Sequence, residues 1–145
     1  MMSFYIPEYE GDEISAVLKP YQRELIDKLL VQYDEEASAK IWLSSAGPLD
    51  LRQFGGAQED NGNEFFKRFR SEFHAYVCGH ERYKDEREEF MKIAKPAASY
   101  VVTVISVAVA GVLGVAVGFI VPAVALLLKL VCRLGVNAWC EVEKP

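Results

Sequence analysis

The sequence predicts an all-α protein: a small helical domain over 1–95, an apolar helical region over 96–140 and a short polar tail over 141–145. Two observations carry this. In the first part apolar residues recur at helical spacing. In the second, no Asp, Glu, Lys, Arg or His occurs between Lys95 and Lys129. The run VVTVISVAV also alternates like a strand, but strands in lipid require a closed barrel. The chain has too few other strand candidates to build one.

Residues 1–12 are polar, contain Pro7 and Gly11, and read as an irregular lead-in. Asp12 or Ser15 suits the cap of a short first helix ending near Lys19, and Pro20 suits the first turn of the next. Tyr21, Leu25, Leu29 and Tyr33, then Ala37 and Ile41, mark one helix of about five turns. Gly47 and Pro48 end it. The segment from Gly47 to Asn63 is rich in turn formers and reads as a loop, with Asn63 as the following cap.

Phe65, Phe66, Phe69, Phe73, Tyr76 and Val77 fall on one face of the next helix. A small domain needs such side chains for a core. Gly79 interrupts, and the highly charged stretch from Glu81 to Lys95 resumes as a solvated helix. Its Arg82, Lys84, Arg87, Lys92 and Lys95 fit a cytoplasmic flank.

The apolar region exceeds the roughly 20 residues that cross a hydrocarbon core as a helix, so lipid is expected to surround it. Three layouts are open. One long tilted helix runs from Tyr100 to Lys129, or a hairpin turns near Gly118–Pro122, or a span continues as a surface-lying helix. Tyr100 and Trp139 suit the membrane interface, and a hairpin puts both at the same one.

Charge and cysteines narrow the function classes. All but three of the 16 Lys and Arg and all but two of the 21 Asp and Glu precede Ser99. The first part is therefore acidic, which argues against nucleic acid as a direct partner. The N-terminus lacks the basic and apolar regions of a secretory signal. The first part is thus expected on the cytoplasmic side of the inner membrane. Cys78, Cys132 and Cys140 cannot all pair internally, and reduced thiols are the expectation.

Ala110, Gly114 and Gly118 recur every four residues, a small-residue pattern that lets membrane helices pack closely. Lys129, Arg133 and Asn137 form a polar stripe at the same spacing. A Lys or Arg at the bilayer centre costs about 2.5–3.5 kcal/mol on insertion scales. The stripe therefore lines a polar path between subunits or snorkels to headgroups. His74, Cys78 and His80 lack the further ligand a metal site needs, so neither metal nor cofactor is expected.

Arg68 and His74 fit an R-x5-H spacing, with Arg70 and Asn61 nearby. This resembles the loose signature of the HEPN ribonucleases, which implies RNA cleavage at a dimer interface. Phe69 departs from that family's usual polar residue after the arginine. The same residues also read as a cationic helix face with a half-buried histidine. In size and domain order, though in no motif, the chain resembles the small membrane effectors of bacterial defence systems. That resemblance implies a non-enzymatic protein that oligomerises in the bilayer, forming a pore or disrupting the membrane when a cytoplasmic partner or signal triggers it. A membrane-anchored HEPN-like ribonuclease and a non-conducting adaptor are the alternatives.

Overall fold

The computed structural model describes residues 6–7, 9–45, 58–93 and 96–142. Regular structure among them is entirely helical: α1 (Gly11–Ser15), α2 (Pro20–Gln32), α3 (Glu35–Ser45), α4 (Gln58–Val77), α5 (Lys84–Met91), α6 (Ala98–Leu113), α7 (Val117–Leu134) and α8 (Val136–Val142), with a 3-10 turn at Glu81–Tyr83.

Local chemistry sets the helix starts. The Glu13 carboxylate accepts from the Glu10 N–H at 3.0 Å, and the Gln22 side chain accepts from the Lys19 N–H at 3.1 Å. Both satisfy donors a helix start leaves unpaired. Pro20 occupies the first turn of α2 as expected. The single helix expected from Pro20 to Gly47 is instead two. Tyr33 is extended, and the Asp34 carboxylate accepts from the Ala37 N–H at 2.8 Å, capping a new helix. A side chain that satisfies a helix N-terminus this well competes with helix continuation.

Helix α4 begins at Gln58, earlier than the cap expected at Asn63. Residues 47–57 of the expected loop lie outside the described residues. Phe65, Phe69, Phe73, Tyr76 and Val77 are buried, while Glu64, Lys67 and Arg68 face solvent. Each fully buried side chain of this size contributes about 1.5–3 kcal/mol relative to exposure. Arg87 is buried too, contrary to its expected place on a solvated helix. Its guanidinium donates to the carbonyls of Ala75, Tyr76 and His80 at 3.3, 3.2 and 2.6 Å. It thereby ties the last carbonyls of α4, of which Ala75 O also accepts from the His80 N–H at 2.9 Å, to the turn that follows.

Helix α6 ends at Gly114, whose φ of 75° is left-handed and whose N–H reaches the Ala110 carbonyl at 2.8 Å. The chain reverses over Gly114–Ala116, and α7 packs back along α6. The hairpin turn therefore precedes the Gly118–Pro122 position expected for it. Pro122 lies inside α7, in its second turn, where its missing N–H forfeits one helical hydrogen bond, to the Gly118 carbonyl.

Every residue from Pro122 to Leu128 is buried, as are Leu130 and Val131. Other helices pack around this part of α7: α3 and α6 lie along it, and α1 and α8 also touch it. A helix apolar on all sides belongs in an interior or in a bilayer.

Candidate functional site

The features that bear on function surround the α6–α7 hairpin. Val117–Leu134 is, among the described residues, the one helix long and apolar enough to cross a membrane; α6 is apolar but shorter. At 1.5 Å per residue, helices of 16 and 18 residues are roughly 24 and 27 Å long, close to a hydrocarbon core of about 30 Å. The tip of the hairpin is exposed and uncharged. Val112 is 52% accessible, Gly111, Ala116, Val117 and Gly118 are exposed beside it, and Val107, about two turns back on α6, is 53% accessible.

Polar ties fasten a coat of helices over the hairpin. The Trp42 indole N–H of α3 donates to the Phe119 carbonyl of α7 at 2.9 Å. The Phe65 ring of α4 lies 6.0 Å from the Phe119 ring. In the lead-in, the Tyr9 hydroxyl donates to the Pro96 carbonyl, and the Cys132 thiol approaches the Pro7 carbonyl at 3.8 Å. Arg70 of α4 pairs with Glu36 of α3. Arg82 pairs with Glu72 at 3.2 Å, and that carboxylate also accepts from the Tyr83 hydroxyl at 2.6 Å. Burial, then this hydrogen bond, raises the Tyr83 pKa well above the ordinary tyrosine value.

Lys129 and Arg133 lie one turn apart on α7 and line a cleft of about 510 Å³. Its other walls include Tyr9, Ile14, Leu30, Tyr33, Asp34, Glu35 and Cys132. Arg133 donates to both Glu35 oxygens, at 3.2 and 2.8 Å. Asn137 belongs to α8, beyond Gly135, whose φ of 91° breaks the helical register. The three-residue stripe is therefore divided between two helices.

Gly114 and Gly118 are likewise divided, one ending α6 and the other in the first turn of α7. Ala110 is buried on α6. A Cβ at Gly114 or Gly118 would meet nothing within 4 Å, so neither position mediates close packing within the chain.

Tyr100 is half-buried and stacks on Phe90 at 5.9 Å. Trp139 is fully buried, edge-on to Phe73 at 5.5 Å and 5.4 Å from the His74 ring, with the Arg70 guanidinium 5.8 Å from its centroid. His74 thus packs against an indole while Arg68 lies exposed on the same helix. No group of three or more His, Cys, Asp or Glu able to hold a metal occurs among the described residues.

Scans against protein-family models, curated proteins and solved structures return no match.

The cysteine expectation needs correcting. Cys78, just past α4, and Cys140, in α8, form a disulfide with Cα atoms 5.7 Å apart, and Cys132 stands outside it. Both apolar helices lie within the loop this bond closes. Its ends therefore sit side by side, whereas one continuous span would separate them by a membrane thickness. Sequence reasoning also missed Glu35 and Trp42, and it placed Arg87 on a solvated face. The Asp34–Glu35–Glu36 run was a usable signal, because acidic residues favour a helix N-terminus.

Proposed function

We propose that this chain is a membrane-active effector that keeps an apolar hairpin inside a coat of charged helices and releases it into a bilayer when triggered. The observation that supports this most is the hairpin's combination of features. An apolar helix of membrane-spanning length is covered by helices that face water on their other side. The tip where the two apolar helices meet is already exposed and carries no charge.

In the resting form, α7 makes with protein the apolar contacts that lipid tails could replace. A signal that loosens α3 and the lead-in strap exposes α6 and α7 together. The tip enters first, because it needs no charged group to be desolvated. The coat and α8 stay on the side of entry, with the N-terminal helices cytoplasmic. Released from Glu35, Arg133 comes to the polar boundary with Lys129. Several copies gathered in one membrane bring these cations around a shared aqueous path, which favours anions. Growth-arresting membrane damage in bacterial antiphage defence is the setting implied by the architectural resemblance.

Liposomes test this. The full chain, added in detergent-free buffer to dye-loaded vesicles of phosphatidylethanolamine and phosphatidylglycerol, should release dye in a concentration-dependent way. Chloride should permeate ahead of potassium in a planar bilayer.

The burial of Pro122–Leu128 favours a second reading, in which α7 is the core helix of a soluble domain and never meets lipid. That reading expects a detergent-free monomer that neither sediments with vesicles nor releases dye.

A further inference from the structure

We propose that the Cys78–Cys140 disulfide is a reducible clasp that holds α8, and with it the C-terminal end of α7, against α4. Three independent features make α8 dependent on this bond. It is only seven residues long, and isolated helices shorter than roughly 12–15 residues are marginal in water. Among its residues with a described environment, only Trp139 is fully buried; Asn137, Ala138 and Glu141 are exposed. The anchor is also imperfect, because the buried Trp139 indole N–H has no hydrogen-bond partner among the described residues. Desolvating a donor without pairing it opposes docking.

The surroundings suit a clasp that opens. Gly135, at positive φ, is the hinge between α7 and α8, and Gly79, at φ 93°, follows Cys78 directly. Both cysteines are half-buried, at the edge of the core rather than sealed inside it.

The chemistry is thiol–disulfide exchange with a dithiol. A thiolate of the dithiol attacks one sulfur, the S–S bond breaks, and the departing cysteine takes a proton. The second thiol of the reductant then closes on the mixed disulfide and releases the other cysteine. Two electrons pass to the protein, Cys78 and Cys140 become thiols, and the dithiol becomes a cyclic disulfide. In the reducing cytoplasm proposed for the coat the clasp is therefore open, and it closes only where an oxidising environment reaches both cysteines.

Hydrogen exchange read by mass spectrometry on the full chain, oxidised or reduced with dithiothreitol, tests the clasp without reference to membranes. On reduction, the exchange rate of α8 should rise relative to that of α4 by roughly tenfold or more. A Cys78→Ser, Cys140→Ser variant should behave like reduced protein and ignore dithiothreitol. If α8 and α4 keep the same relative protection after complete reduction, the clasp is refuted. If the whole chain loses protection at once, the bond is a general staple and the clasp is equally refuted. One further arm rests on the membrane reading: reduced protein should release vesicle dye sooner than oxidised protein. Freed α8 with no dye release at all would uphold the clasp and count against the membrane reading.

Discussion

Arg133 grips Glu35 through two hydrogen bonds of 3.2 and 2.8 Å, joining the last turn of the long apolar helix to the first residue of the helix that covers it. The Arg133 side chain is 57% accessible and that of Glu35 17%, so solvent screens the pair and its contribution to stability stays at or below about 1 kcal/mol. A latch of that size can hold a resting state and still give way.

Glu35→Gln should lower the urea midpoint slightly, by the equivalent of about 0.5–1 kcal/mol, while speeding dye release from vesicles, because both cations remain and the latch is weakened. Changing Lys129 and Arg133 together to Leu should leave vesicle binding intact and abolish anion preference in planar bilayers. Unchanged selectivity in that double variant would remove the cationic path from the mechanism.

Trp42→Phe deletes the indole N–H that reaches the Phe119 carbonyl. The loss of a buried hydrogen bond and some packing should cost about 1–2 kcal/mol, read as a lower denaturation midpoint. An unchanged midpoint would mean that α3 does not hold the start of α7.

Gly114→Ala and Gly118→Ala separate two views of the small residues. Gly114 has positive φ and Gly118 lies in a helix, with open space around both. Alanine at Gly114 should destabilise by about 1–2 kcal/mol through left-handed backbone strain alone. At Gly118 it should be neutral or stabilise by up to about 1 kcal/mol. Equal losses at both sites in thermal denaturation would contradict a turn at Gly114.

Alkaline pH should weaken the fold. In the folded chain Tyr83 is held protonated above its ordinary pKa, first by burial and then by Glu72. Once pH passes the ordinary tyrosine value of about 10, the unfolded chain loses this proton and the folded chain keeps it. The folded state then binds more protons, so stability present below that pH falls as pH rises. Denaturation midpoints measured from about pH 9 to about pH 11 should decline, and more shallowly in Tyr83→Phe.

Much of the architecture was legible in the sequence for reasons of period and charge. The aromatic face of α4 and the uncharged run before Lys129 are patterns that a helix of 3.6 residues per turn imposes locally. The break at Asp34 was missed because Leu29, Tyr33 and Ala37 continue the apolar spacing across it, while the deciding hydrogen bond is made by a side chain. Gly118–Pro122 attracted the turn because proline breaks helix interiors, yet α7 carries Pro122 in its second turn and the chain reverses earlier, at Gly114. Arg133 was singled out as a costly charge but its partner was not, since Glu35 lies 98 residues away in sequence. The Cys78–Cys140 pair is non-local in the same way, 62 residues apart.

Dye release from phosphatidylglycerol-containing vesicles, with the full chain added from detergent-free buffer, tests the central claim most directly. The account predicts release that grows with protein concentration and accompanies sedimentation of the protein with the vesicles. A chain that remains a soluble monomer and releases nothing at any concentration would contradict it.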